Sequence, residues 1–395
     1  MTPHRSCCLL VGVQVVVRAT AWQALAAVMP LLGSDARRRH VLPALLRQCQ
    51  LPDRHVEMQR SLAAAYGELG PALLPDCASD GDANACLLLF RSLAARDDVA
   101  TRAACAAALP AVLRGAGPRR YGSHLHEALL RLAADVEPPV RLAVASSLHA
   151  VGRLLGRDRS SQYLREPLGA LLRDEDTEVA REVVAHLGET LSLLAAAPQQ
   201  QQEQQQQQQE QAAPGADADG LARSHSGGKG GSPSSGRGCG EFVEALLRLE
   251  ALSGRDWRLQ LGLLRVVGEG GGAVFAPDTL SDRLAPVAFR HLAEGPAVLR
   301  RPAAEAVVEA WRAARRPAAR TAIYGRLVRE FALGHGCRAR ASFVDVCVAA
   351  LRRFSSRFFK SHLLEACLLL AFDPVPCVRL ALCAAMPALK QVGGW

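Results

Sequence analysis

Aromatic residues are scarce: 5% of the 395 residues, as four Trp, four Tyr and ten Phe. Sheets draw on aromatic and β-branched residues, so this poverty argues against a β-rich core. Lysine is almost missing too, so nearly all of the 47 basic residues are Arg. Among the twelve cysteines there is no CxxC, and only Cys7-Cys8 are adjacent. Cys105, Cys347, Cys367 and Cys383 fall inside apolar helical runs, where a thiol acts as a small hydrophobe; reduced core thiols in a cytosolic protein are expected. No apolar run approaches the ~20 residues that span a bilayer. The apolar segment Cys7–Val17, behind His4 and Arg5, imitates a leader, but the following ATAWQALAAVMPLL reads on as helix. A cytoplasmic location is the default expectation.

What the chain does have is Ala and Leu, with 49% hydrophobic residues overall, which favours close-packed helices. Formal net charge is +9. Such a chain can attract acidic partners or nucleic acid. The Arg residues are scattered, however, and Ala36-Arg37-Arg38-Arg39-His40 is the one dense run. With few aromatic stacking partners, nucleic acid is not the expected ligand.

The chain repeats itself. SHLHEALLRLAADVEPPVRLA (Ser123–Ala143) and SHLLEACLLLAFDPVPCVRLA (Ser361–Ala381) agree at 14 of 21 positions. A third copy, Gln162–Leu187, aligns with both without gaps. Asp135, Asp174 and Asp373 coincide, as do Glu127, Glu166 and Glu365, and Val140, Val179 and Val378. The first two copies stand 39 residues apart, and so do Arg102 and Arg141. Arg301, Arg340 and Arg379 form a second series with the same step. A step near 40 with two helices per unit is the signature of HEAT-type solenoids.

Each unit has a first helix with apolar residues at helical spacing (Leu125, Leu129, Leu132) and a turn rich in Asp, Glu and Pro. An Ala-rich second helix then opens with Val-Arg. An Arg in the first turn of a helix opposes the helix dipole, so its recurrence calls for a partner. The turn Asp of its own or a neighbouring unit would supply one. The expected structural ladder therefore comprises Arg102, Arg141, Arg301, Arg340 and Arg379 with Asp135, Asp174 and Asp373. Less regular helices are expected at 5–47 and 53–76, and repeats at 83–115, 121–157, 160–197, 241–270, 280–315, 319–355 and 358–392.

Between Pro198 and Gly240 the pattern stops. Gln199–Gln211 holds eleven Gln and two Glu, followed by a Gly/Ser-rich stretch with no apolar period. Such composition cannot offset its ordering entropy. The expected architecture is an all-α HEAT-repeat (armadillo-like) α-solenoid: an N-terminal half (1–197), a disordered low-complexity linker (198–240) and a C-terminal half (241–395).

Motifs for chemistry are wanting. There is no HExxH, no Walker GxxxxGK[ST] and no GxSxG. Gly268–Gly272 (GEGGG) lacks a following Lys-Ser/Thr and reads as a helix-ending loop. His124 and His362 are equivalent repeat positions, not a catalytic dyad. Iron-binding hydroxylases of this fold resemble each other in carrying several His-Glu pairs; here His126-Glu127 stands alone. Trp257 is read as a core-packing or inter-repeat contact residue, with a partner-facing anchor as the alternative. No catalytic, metal or cofactor site is expected; solenoids instead offer long concave surfaces for proteins.

Four stretches carry a more specific likeness: Phe354–Lys390, Val136–Leu194, Arg255–Leu264 (RDWRLQLGLL) and Arg38–Gln59. In their order along the chain they resemble the HEAT-repeat scaffold and regulatory subunits of type 2A-like serine/threonine phosphatases, most of all the phosphatase 4 branch. The resemblance implies a non-catalytic subunit that binds a phosphatase catalytic subunit of the phosphatase 4 type and modulates or targets it. A general protein-binding adaptor or transport receptor is the other expectation.

Overall fold

The computed structural model describes residues 16–50 (without 18), 55–195 (without 78) and 239–393. Residues 1–15, and all but the last two residues of the expected linker, lie outside the described residues. Among the described residues there are helices and turns and no strand.

The helices come in pairs. Ser34–Ala36 and Leu42–Gln50, joined through a π turn, precede Val56–Leu73. Asp80–Leu93 precedes Val99–Ala116, and His126–Ala133 precedes Pro138–Tyr163. Arg165–Leu171 precedes Thr177–Ala185 and Leu187–Leu194. Beyond the insertion, Val243–Leu252 pairs with Trp257–Val274, Ala285–Glu294 with Ala297–Ala313, and Pro317–Arg326 with Cys337–Arg353. Ser356–His362 and Leu364–Leu369 pair with Pro376–Gly393.

Local chemistry sets these boundaries. Asp98, Asp176 and Asp256 cap second helices by accepting from backbone N–H groups of the first turn. Pro138, Pro317 and Pro376 occupy first helical positions, where a missing N–H costs nothing. Gly156 has φ 73°, which breaks Pro138–Tyr163 and turns the chain into the next unit.

Successive second helices lie against one another and build one continuous core. Small side chains permit this: Ala106, Ala108, Ala303, Ala304 and Ala306 are all buried. Val56–Leu73 and Val99–Ala116 cross with their backbones close together. A Cβ on Gly115 would collide with Gly70 O and lie 2.8 Å from Pro71 Cα. The stacking passes over the insertion without a break, because Thr177–Ala185 and Leu187–Leu194 pack directly on Trp257–Val274.

Three expectations need correction. Gly268–Gly272 is not a helix-ending loop but part of Trp257–Val274. A Cβ on Gly268 would come within 3.1 Å of Ala306 N, so the glycines admit the next second helix rather than end their own. Cys383 is exposed, unlike the buried Cys105, Cys347 and Cys367. Trp257 is 38% exposed, with the Arg258 guanidinium 4.9 Å over its ring, so it is not a core residue.

Candidate functional site

The turn residues form a ladder between neighbouring units. Arg102 donates from Nε and Nη2 to the two carboxylate oxygens of Asp135, at 2.6 and 2.9 Å. Arg141 does the same to Asp174, at 2.6 and 2.9 Å, and Arg340 to Asp373, at 2.5 and 3.1 Å. Each Nη1 also donates to two carbonyls of its own turn, five and six residues back. Each Asp accepts in addition from the backbone N–H two residues on: Glu137, Asp176 and Val375. The carboxylate thus comes from the next unit, while the Arg's own turn supplies only backbone oxygens.

Two rungs were not anticipated. Arg60 donates to Asp98 at 2.8 and 2.5 Å, and Arg181 to Asp256 at 3.1 and 2.7 Å. Burial pushes the Asp135, Asp174 and Asp256 carboxyls up, but their arginines and backbone donors overcome it and hold all three below the usual range. In Asp373 and Asp98 the hydrogen bond from Arg340 or Arg60 leads, and both carboxyls also stay low.

Arg301 and Arg379 stand apart from the other arginines of the expected series. Arg301 is 85% exposed and, among the described residues, meets only Asp345, at 3.6 Å. Counted from the helix caps Gly336 and Pro296, the residue matching Arg340 is Arg300, whose buried Nε has no hydrogen-bond partner among the described residues. A constant 39-residue step lands one residue off, because the caps Pro296 and Gly336 stand 40 residues apart. Arg379 makes the two bonds to its own turn, at Asp373 O and Pro374 O, but no carboxylate reaches it among the described residues.

A second set of contacts ties the far ends of the second helices. Glu309 is buried and accepts from Gly272 N at 3.2 Å and from Arg312 at 3.0 and 2.6 Å. Arg353 approaches the same carboxylate at 3.8 Å and donates to Gly268 O at 3.0 Å. Three successive units meet at this one acid.

The surface feature with the composition of a recognition site is an aromatic groove of about 430 Å³. It is lined by Trp311, Tyr324, Phe354, Phe358 and His362, with Arg312, Arg320 and Thr321 at its margin. Phe354 stacks on Phe358 at 4.3 Å and Phe358 on His362 at 4.2 Å, while Trp311 meets Phe354 and Phe358 edge-on. Tyr324 donates its hydroxyl to His362 O at 3.2 Å, which fixes the rim. Trp311 is buried as the floor, and His362 is exposed. Aromatic faces beside guanidinium groups are the usual make-up of protein-binding hot spots.

A larger cavity, about 590 Å³, opens between Glu250, Arg255, Gln260, Arg290 and His291. Several of its polar groups are engaged: Glu250 takes His291 Nε2 at 3.0 Å and pairs with Arg290, and Gln260 donates to Gly254 O at 2.9 Å. The hydrogen bonds from His291 and Arg290 hold the Glu250 carboxyl low against the effect of its burial. His124 is half-buried and His362 exposed, far apart in separate units. Glu127 pairs with Arg91 and Arg131 instead of joining His126 in a site. Among the described residues no group of three His, Cys, Asp or Glu could hold a metal ion. None of the described helices is long and apolar enough to cross a membrane.

No protein-family model matches the chain, and no curated protein matches it in sequence. Its fold does have counterparts among solved structures. Kap121p, a karyopherin seen bound to the extreme C-terminus of the protein phosphatase Cdc14p, superposes with a TM-score of 0.53 at 12% identity, covering 97% of this chain and 37% of that one. Another Kap121p structure gives 0.53 at 13% identity over 95% of this chain and 36% of that one. Kap95p, whose binding acts on the switch loops of RanGDP, gives 0.50 at 11% identity, covering 94% and 48%. The chain therefore spans between about a third and a half of the length of these solenoids. At such identities the likeness is one of fold, and the fold is an all-α HEAT-type solenoid.

Proposed function

We propose that the chain is a non-catalytic, protein-binding scaffold. The observation that carries this reading is the aromatic groove of Trp311, Tyr324, Phe354, Phe358 and His362 with its Arg312 and Arg320 margin. Rigid rings bury much apolar area at small entropic cost, and the Arg320 guanidinium selects acidic or carbonyl-rich partners, Arg312 being held by Glu309. Within that reading, a regulatory subunit of a serine/threonine phosphatase of the phosphatase 4 type is supported by the sequence stretches Val136–Leu194 and Phe354–Lys390. The second of these contributes Phe354, Phe358 and His362 to the groove. A transport receptor or general adaptor is supported by the karyopherin solenoids that share the fold.

Affinity purification of the tagged chain from cells separates the two. A stoichiometric phosphatase 4 catalytic subunit, lost on Phe358→Ala with Arg320→Glu, is the expected result. A folded chain that recovers transport cargo and no phosphatase supports the receptor reading. Partners that ignore both substitutions remove the groove from the argument.

A further inference from the structure

Most of the ring faces in the aromatic groove are turned on one another. Phe358 lies between Phe354, at 4.3 Å and 18°, and His362, at 4.2 Å and 15°, so both of its faces are covered. Trp311 stacks on Tyr324 at 5.8 Å and 19°, and meets Phe354 and Phe358 edge-on. Tyr324 in turn meets His362 at 85°. What this packing leaves toward the groove is mainly ring edge. An aromatic ring is negative on its face and positive along its edge. Cations and nucleobases need open faces, whereas carboxylate and carbonyl oxygens suit edges.

The charges of the groove have the same sign as those edges. None of the eight residues that line it is Asp or Glu. Glu309, which holds Arg312, is buried and is approached by Arg353 as well. Arg320 donates its Nε to Ala314 O at 2.6 Å, which leaves Nη1 and Nη2 without an acceptor among the described residues. A guanidinium held on one side and open on the other takes a carboxylate with little loss of side-chain entropy. Arg315 and Arg357, close along the chain to Arg312 and Phe358, are exposed and form no ion pair among the described residues. The cavity of about 590 Å³ differs in this respect, with Glu250 and Glu294 in its walls.

We propose that the groove takes an acidic segment of a partner protein, one with an aspartate or glutamate beside an apolar side chain. The carboxylate closes on the Nη edge of Arg320, and the apolar side chain packs on the ring edges above Trp311. The occupant is set by charge complementarity: an unneutralised guanidinium, positive ring edges and no lining acid. The proposal rests on the protein-binding reading and deepens it by naming the chemistry of the partner. Basic segments and single-stranded nucleic acid are excluded from this groove by the same features.

The test pans a random-peptide display library on the full chain and measures the recovered peptides by fluorescence anisotropy. The expected pool is rich in Asp and Glu next to apolar residues, and its affinity falls as salt rises. Arg320→Glu is expected to weaken these peptides at least about tenfold, and Lys in place of the peptide's acidic residue to restore binding to that variant. Arg320 is exposed, and an unchanged circular dichroism spectrum of Arg320→Glu shows that the loss is not unfolding. A basic or uncharged pool, acidic peptides indifferent to Arg320→Glu, or no pool from a folded chain would overturn the proposal. So would oligothymidylate that displaces the peptides more readily than unlabelled peptide does. Peptides without acidic residues that lose binding with Phe358→Ala keep the groove as a protein-binding site and sink only its charge preference. Peptides that ignore both substitutions remove the groove itself.

Discussion

Arg181 and Asp256 are 75 residues apart in the chain, yet the guanidinium meets the carboxylate at 2.7 Å. The pair links neighbouring units as Arg141 and Asp174 do over 33 residues, although Arg181 gives both bonds to one carboxylate oxygen. Arg165 reinforces the junction by donating to Leu194 O at 2.9 Å and pairing with Glu241. The two sides of the insertion are thus neighbouring units of one stack. Replacing residues 199–236 with a six-residue Gly/Ser linker is expected to leave the melting temperature unchanged or raise it, since shortening a loop lowers its closure entropy by up to about 2 kcal/mol. A lower melting temperature would mean that the insertion contributes contacts of its own.

The ladder makes a contrast within one residue series. Asp174→Ala leaves the half-buried Arg141 without its bidentate partner and is expected to cost about 2 kcal/mol. Arg301→Ala removes an exposed side chain and is expected to change stability by less than about 0.5 kcal/mol. Urea unfolding followed by circular dichroism measures both, and equal effects would refute the distinction drawn from geometry.

Stability should depend on pH through the same carboxylates. Asp98, Asp135, Asp174, Asp256 and Asp373 are all held below their ordinary range in the folded chain. The unfolded chain therefore takes up protons first as pH falls. The stabilisation is fully present above about pH 4 and is lost as pH drops through the lower folded values. Unfolding midpoints between about pH 3 and pH 5 should rise with pH, and Asp174→Asn should flatten part of that slope.

Two glycines separate helix propensity from close approach. Gly67 has nothing within 4 Å of a built Cβ, so Gly67→Ala is expected to stabilise by about 0.5–1 kcal/mol. Gly115 faces the backbone of Gly70 and Pro71, which cannot rotate away. Gly115→Ala is expected to destabilise by about 1–3 kcal/mol despite its better propensity. Opposite signs in thermal melts bear out the crossing of Val56–Leu73 on Val99–Ala116; a stabilising Gly115→Ala would contradict it.

Much of this was legible in the primary structure because a repeat writes the same local rule many times. Asp135, Asp174 and Asp373 align without gaps, and so do the arginines that find them. Arg60–Asp98 and Arg181–Asp256 are hidden in the primary structure because these arginines stand five residues after their helix caps, not four, and the insertion separates the second pair. Arg301 lies on the fixed 39-residue step, whereas the residue at the cap distance of Arg340 is Arg300. The signal that could have found it is Pro296, which sets where that helix begins.

Composition and periodicity determine that the chain is helical, that its helices pair, and that small residues face the stack. Those properties depend on neighbours within one or two turns. The aromatic groove does not: Trp311, Tyr324, Phe358 and His362 belong to three helices and Phe354 to the junction after a fourth, and they converge only when the units stack. A groove assembled from separate units is a property of the stacked surface, which no single stretch of sequence spans.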